Sequence, residues 1–506
     1  MTDPPVSQPA LENKSTPPSP LVGWVVLFLG FAALYGFTAN RGVQWQDSGS
    51  HLFRMLTGEL HNPLGLALIH PLHHWLGRFA LACSLMEPPL AATLISALAG
   101  AIAVANVYGC VVTISRSRTS GALAAVSLGA ANLFWHLATI VEAYTLTAAL
   151  LSAEVWCLAV FARTRKAGPL AGMALFNGLG IANHMLASLT TPVLAVVALW
   201  SLHRRQVRFR HIAIAVAAGV VGSLPYTGLI VAEFIHTGQL GETVRSALFG
   251  KSFADEVLNV RASLRQVGMV VAFSVLSFPN LLLPAAVFGI GRGERIGVGL
   301  LLQRALPIAL FLHLVFVVRY DVVDQQVFLV PAFVLLTILA GIGGAVVLQV
   351  GSRGAKAWLL AIGIGLLAFT PVVSVLIPGV ARRMDVLGAV ARHKPYRDDY
   401  VYLFTPWSVV ERSAEKMSSQ AIALAGERGL ILVEDRMAAS PIRCRALLGG
   451  RDRIVITTDL EPDHINRAIQ DGRPVVLVPE NADAPETAAP VGRWQRVGDL
   501  YTLTND

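Results

Sequence analysis

The sequence predicts an all-α polytopic membrane protein that crosses the bilayer about eleven times and carries a small C-terminal α/β soluble domain. Three observations predict it. Of 506 residues, 54% are hydrophobic and only 14% charged, well below the charged fraction of water-soluble domains. The apolar residues fall in blocks of roughly 18 to 25, the length a helix needs to cross a hydrocarbon core of about 30 Å. From Arg382 onward the chain returns to a soluble composition.

The expected spans are Leu21–Thr38, Pro89–Ile114, Gly121–Trp135, Tyr144–Phe161, Pro169–Asn183, Met185–Leu202, Ile212–Ala232, Val267–Ile290, Val298–Val318, Val327–Val350 and Trp358–Val380. The third and fifth are short for a full crossing, and Arg304 inside the ninth is expected to snorkel toward the helix end. Residues 1–20 are rich in Pro and Ser and read as a disordered tail. The block after them lacks an A-x-A cleavage site, so Leu21–Thr38 reads as an uncleaved first helix.

With the N-terminus cytoplasmic, every large basic cluster falls on the cytoplasmic side: Arg116/Arg118, Arg163/Arg165/Lys166, Arg204/Arg205/Arg208/Arg210, Arg292/Arg295 and Arg353/Lys356. The net charge of +8 is thus explained by topology and gives no reason to expect nucleic acid. Cys83, Cys110 and Cys157 lie in or beside apolar blocks and Cys444 in the tail, so neither a disulfide framework nor zinc spacing is expected.

The domain plan is a tail (1–20), a transmembrane domain (21–380) whose first outer loop is 39–88, and an extracytoplasmic domain (381–506). In the last, Val409–Ala425 and Pro462–Gln470 read as helices, and Leu430–Val433, Arg453–Thr457 and Pro474–Val478 as strands. No phosphate-binding glycine loop occurs there, so it reads as an accessory domain.

The first loop begins Trp45-Gln46-Asp47-Ser48-Gly49-Ser50-His51 and continues through His61-Asn62-Pro63-Leu64-Gly65 to His70-Pro71-Leu72-His73-His74-Trp75. An acid just after the first span sits above the lipid boundary, where a general base could act on an acceptor from water while a lipid-linked donor approaches from the membrane. The competing reading is that Asp47 caps the helix starting near Ser50.

This loop resembles the opening of the GT-C superfamily of membrane glycosyltransferases, and more narrowly bacterial membrane proteins related to protein O-mannosyltransferases. Asp47-Ser48-Gly49 matches the Asp-Ser-Gly-Glu motif of that group, with Ser50 in place of Glu. His61-Asn62-Pro63-Leu64-Gly65 approximates its His-Pro-Pro-Gly motif, with His70-Pro71 as the competing alignment. Phe134-Trp135 with Val141-Glu142-Ala143-Tyr144, Gly178-Leu179-Gly180 with Asn183-His184, Tyr320 to Pro331, and Asp398-Asp399-Tyr400 ahead of Leu432-Val433-Glu434-Asp435 follow in register.

The resemblance implies a GT-C-like fold in a bacterial plasma membrane and hexosyl or mannosyl transfer from a polyprenyl-phosphate sugar donor to an extracytoplasmic protein, lipid or glycan acceptor. It makes Asp47 the catalytic base and His51, His61, Glu142, Tyr144, His184, Arg319, Asp321 and Asp324 substrate-binding residues. Glu142 would bond acceptor or sugar hydroxyls, His184 would lie near the donor phosphate, and Arg319 would clamp the departing phosphate, with Arg382 and Arg383 as alternatives. The bland readings are interfacial helix ends for Glu142 and His184 and a solvated turn for Arg319, Asp321 and Asp324.

The scheme requires no cofactor, although Asp47 with a second outer carboxylate could hold a divalent cation. His70 and His74 share a helical face without the acid of a zinc-protease pattern, so a structural or headgroup role is expected rather than a metal site. Trp75 reads as an interfacial anchor. The principal alternative function is a transporter or lipid flippase. Against it stand the gathering of acids at one face and the lack of a duplicated half. A non-catalytic relative is the third reading, because of Ser50.

Overall fold

The computed structural model describes residues 19–388, 394–481 and 493–504. Residues 1–18 of the expected tail lie outside this range. After α1 (Leu21–Thr38), the first loop folds into α2 (Gln46–Thr57) and α3 (Pro71–Cys83). Then follow α4 (Pro88–Ser115), α5 (Arg118–Ala130), α6 (Asn132–Ala138), α7 (Tyr144–Thr164), α8 (Ala167–Asn183), α9 (Thr191–His203) and α10 (Phe209–Thr237). A second long loop holds α11 (Leu240–Phe249) and α12 (Ala254–Leu258), and α13 (Leu264–Ser277), α14 (Leu282–Arg292), α15 (Leu300–Arg319), α16 (Val330–Val350) and α17 (Arg353–Arg383) complete the bundle.

The interior of the bundle is α4, α7 and α16, whose spans are 72%, 67% and 78% buried, whereas α1 and α17 are 11% buried and face lipid. Small residues explain the placing of α4: Ala97, Ala101, Ala103 and Ala105 are fully buried and let neighbouring backbones approach closely where lipid supplies no hydrophobic drive. The α8–α10 contact uses the same device. A side chain at Gly178 would collide with the Gly219 carbonyl, so this part of the Gly178-Leu179-Gly180 motif serves packing.

Each of the about eleven expected blocks falls on a helix or a bent helix pair, the short fifth one on the 17-residue α8. Among the described residues, eight helices are long and apolar enough to cross by themselves, or up to ten spans if each of two bent pairs counts as one. The block Gly121–Trp135 is broken into α5 and α6, which meet at 67°. Ala131 is extended there, and the Asn132 amide bonds Ser374 and the Phe404 carbonyl. The block Val267–Ile290 turns through 103° at Phe278–Leu281. Pro279 disfavours helix at the residue before it, and the Asn280 side chain accepts from the Leu282 amide to restart the helix. Apolar composition reports burial in lipid but not a change of direction, so both breaks were invisible to it. Glu154 corrects one expectation: the acids do not all gather at one face, because this one is buried within α7 and accepts from Asn177 at 3.1 Å.

The C-terminal unit comprises α18 (Asp399–Phe404), α19 (Ser413–Ala425), β1 (Leu430–Val433), α20 (Arg436–Leu448), β2 (Val455–Thr457), α21 (Pro462–Gln470), β3 (Val475–Val478), β4 (Arg493–Val497) and β5 (Leu500–Thr504). Its mixed sheet has the order β2-β1-β3-β5-β4, with β1 parallel to β2 and β3, and β5 antiparallel to β3 and β4. Ile431, Val433, Val476 and Val478 pack on α19 and α20, while Leu430, Leu432, Val475 and Leu477 pack on α21. Burial on both faces is why β1 and β3 read as unbroken apolar runs. The sequence reading missed α20, which contains Pro441, and the β4–β5 hairpin, whose polar face hides the alternation.

This unit is bound to the first loop. Trp45 belongs to its core, stacked on Tyr396 at 5.3 Å, and donates to Ser413 at 2.9 Å. A buried ion pair joins Lys394 to Asp435, and Asp435 also caps α20 through the Met437 amide at 3.1 Å.

Candidate functional site

The site is built on the first turn of α2. Gln46 has a φ of 55°, a left-handed conformation that a non-glycine residue adopts only when its surroundings enforce it. The Tyr402 hydroxyl donates to Gln46 Oε1 at 3.3 Å, which holds this residue from the C-terminal side. Asp47 follows inside the helix. The cap residue is Trp45, and no side chain makes a capping bond there, so the capping reading of Asp47 does not hold. Asp47 is solvent-exposed, although protein surrounds its carboxylate closely enough to desolvate it. Desolvation raises its pKa above the ordinary Asp range, against a smaller lowering by the Arg54 charge.

Glu142 lies behind Asp47, in the short loop between α6 and α7. Ser48 donates to its carboxylate at 2.9 Å, and Ser96 accepts from its amide and donates to its carbonyl, each at 3.0 Å. Gln44 sets the loop by accepting from the Val141 amide at 2.8 Å while donating to Thr93 at 2.9 Å. Burial, then the negative charge of Asp47, pushes the Glu142 pKa well up, and Asp324 adds to it. This shift favours the protonated form of Glu142, which can donate a hydrogen bond.

On the other side of Asp47 the rings gather. His70 is a second left-handed non-glycine residue, with a φ of 52°, immediately before the Pro71 that opens α3. Its Nδ1 lies 2.8 Å from the Asn183 carbonyl and so carries the proton. Its ring stacks on His184 with centroids 4.7 Å apart, and His184 meets Tyr144 at 5.2 Å and Phe328 at 6.0 Å. His184 Nδ1 accepts from the Leu186 amide at 3.1 Å, leaving Nε2 as a donor. Asn183 is itself fixed by donating to the Ala143 carbonyl and the Thr147 hydroxyl, both at 2.9 Å.

His51 is buried edge-on to His70 and His73, each at 5.4 Å, and shares a contact of 2.8 Å with Arg54. Burial, with Arg54 nearby, holds these imidazoles neutral: His70 and His74 fall to about 4 and His73 to about 3. His73 is fully buried with neither ring nitrogen hydrogen-bonded. Among the described residues no group of three or more His, Cys, Asp or Glu is arranged to hold a metal ion.

The structure therefore brings together Asp47, His51, Glu142, Tyr144, His184 and Asp324, and does not bring in the others. His61 is exposed, and His70, its competitor for the motif, takes the central place. Arg319 donates to the Asn259 carbonyl at 2.6 Å and lies over Phe316, one ring removed from Phe328. Asp321 is exposed in the turn that follows. Arg382, the alternative clamp, is paired with Asp398.

Two residues were missed as site members. Arg54, two helical turns beyond Asp47 and one beyond His51, is the cation of the cluster, and that spacing on one helix face was its signal. His70 was weighed for a motif and a metal but not for stacking. Ser50 turns toward α20: its hydroxyl lies 2.9 Å from that of Ser440. Gly49 is equally confined, since a Cβ there would strike the Gln44 carbonyl and meet Ser440 at 3.1 Å. The small pair Gly49-Ser50 seats α20 against α2.

No family model and no curated protein matches the sequence. The fold is similar to solved structures of GT-C membrane glycosyltransferases. ArnT from Cupriavidus metallidurans, bound to undecaprenyl phosphate, superposes with a TM-score of 0.62 at 16% identity, over 95% of this chain and 97% of that one. The Archaeoglobus fulgidus oligosaccharyltransferase tethered to an acceptor peptide gives a TM-score of 0.47 at 12% identity, over 90% and 69%. The Saccharomyces cerevisiae Pmt1–Pmt2 complex bound to the sugar donor gives 0.35 at 14% identity, over 49% and 39%. The chain is a multi-pass membrane protein with the GT-C fold.

Proposed function

We propose that this chain transfers a sugar from a polyprenyl-phosphate donor to an acceptor hydroxyl. One observation carries the reading: an accessible carboxylate, Asp47, stands between a buried acid, Glu142, and a cation with neutral imidazoles, Arg54, His51, His70 and His184. This is the division of labour that such a transfer needs. The GT-C fold, and the undecaprenyl phosphate bound by ArnT, support the donor class.

In the reaction, Asp47 takes the proton of the acceptor hydroxyl as its oxygen bonds to the anomeric carbon. The bond from that carbon to the phosphate oxygen breaks, and the polyprenyl phosphate leaves with the electron pair. Configuration inverts. Arg54 and the His184 Nε2–H neutralise the charge developing on the phosphate, and Glu142 hydrogen-bonds a sugar or acceptor hydroxyl. Such base assistance supplies about 10² to 10⁴ in rate, and orientation supplies much of the rest. Hexosyl or mannosyl transfer in a bacterial plasma membrane belongs to this reading. So does a cytoplasmic N-terminus, supported by the five basic clusters, which puts the site and the C-terminal unit outside.

The test is sugar transfer from radiolabelled polyprenyl-phosphate donors by membranes containing wild-type protein or Asp47→Asn. A drop of about 10² or more is expected for the variant at equal insertion. Undiminished turnover ends the assignment.

A further inference from the structure

We propose that the lipid-facing groove between α9 and α15 binds an anionic phospholipid through Arg304, at a site separate from the sugar-transfer centre. The groove has a volume of about 390 Å³. Its walls are Val193, Val196 and Val197 of α9 and Leu301, Ile308 and Leu312 of α15. Val196 is 66% and Ile308 50% exposed, as expected of walls open to acyl chains rather than packed on protein.

One side chain breaks this apolar lining. Arg304 is exposed in the groove and has no hydrogen-bond or ion-pair partner among the described residues. By contrast, Arg163 donates to the Thr113 carbonyl and Arg319 to that of Asn259. Arg304 lies one turn inside α15, about 6 Å along the axis from Leu300. A guanidinium at such a depth is costly unless it meets an anion or reaches the interface. Trp200 closes the same end of the groove, with the Arg204 guanidinium over its ring at 5.8 Å. Two cations at the mouth of an apolar channel complement a phosphodiester above acyl chains, and guanidinium meets phosphate bidentately. A zwitterionic choline headgroup would bring a third cation to the same place, which favours an anionic lipid.

The occupant is not the sugar donor. Helix α9 has 13 residues, about 20 Å at 1.5 Å per residue, and His184 lies before its start while Trp200 lies near its end. A phosphate at Arg304 is therefore a helix length away from the transfer site.

The experiment uses full-length protein in nanodiscs of phosphatidylcholine doped with phosphatidylglycerol, followed by gentle extraction and native mass spectrometry of retained lipid. Wild type is expected to retain phosphatidylglycerol about tenfold over phosphatidylcholine. Arg304→Lys should keep part of this preference and Arg304→Gln should lose it. In parallel, brominated phosphatidylglycerol should quench wild-type tryptophan fluorescence more than the brominated choline lipid, and Trp200→Phe should remove the difference. Equal retention of both lipids by wild type, or an undiminished preference in Arg304→Gln, overturns the proposal. Should Arg304→Gln fail to fold, the wild-type preference and the Trp200 difference decide alone. None of these readouts depends on sugar transfer.

Discussion

Ser48 and Glu142 are joined by a buried hydrogen bond of 2.9 Å, which ties the residue after Asp47 to the loop leading into α7. Because burial and the Asp47 charge push the Glu142 pKa up, Glu142→Gln keeps the shape and removes the penalty of burying a charge there. Its melting temperature is expected to stay near wild type, with a loss of transfer smaller than that of Asp47→Asn. Ser48→Ala leaves the acid without this partner, a loss of about 1–3 kcal/mol, and thermal unfolding in detergent should register it. A large stabilisation in Ser48→Ala would show that the bond is not what holds the loop.

The pH dependence of transfer follows from Asp47. Its pKa is raised by desolvation, so the base is lost to protonation as pH falls, and at a higher pH than for an ordinary Asp. The acid limb of the rate profile is expected above the usual value of about 3.9. Arg54→Gln removes the charge that opposes the rise and should move the limb further up. A limb that shifts down in Arg54→Gln contradicts this account.

Ser50→Glu restores the residue of the resembled motif at a position that faces α20. The larger side chain is expected to unseat α20 from α2 at a cost of about 1–3 kcal/mol. Transfer should fall with it, and protease sensitivity of the C-terminal unit should rise. Increased transfer by this variant would mean that a side chain at position 50 can turn toward Asp47 instead.

Stability should decline in mild acid. Unfolded histidines take up protons below about pH 6.5, while folded His70 and His74 resist until about 4 and His73 until about 3. The unfolded chain therefore binds more protons across that window, and stability drops as pH falls through it. The melting temperature at about pH 5 should lie below that at about pH 7, and His73→Leu should lessen the drop. A melting temperature that rises on acidification refutes the assignment of buried neutral imidazoles.

Lys394 and Asp435 form a pair buried at both ends. Lys394→Met strands the Asp435 charge and is expected to destabilise the contact by about 3–5 kcal/mol. Limited proteolysis should then cut the segment joining α17 to α18 sooner than in wild type, whereas an unchanged cleavage rate would mean that the pair adds nothing to docking.

Composition and periodicity determined that this is a helical membrane protein with a small mixed α/β unit, because the length of an apolar block and the run of a buried strand are local quantities. Pro462–Gln470 and Leu430–Val433 were legible for that reason, with the observed bounds. Directions and contacts were not legible. The breaks at Ala131 and at Phe278–Leu281 depend on a polar side chain finding a partner or restarting a helix, as Asn132 and Asn280 do. Motif spacing singled out Asp47, Glu142 and His184, but His70 displaced His61, and Arg54 rather than Arg319 lies beside the cluster. That choice belongs to tertiary structure: the left-handed backbone at Gln46 and His70, and the docking of α20 on Gly49 and Ser50, aim side chains that are far apart in the chain.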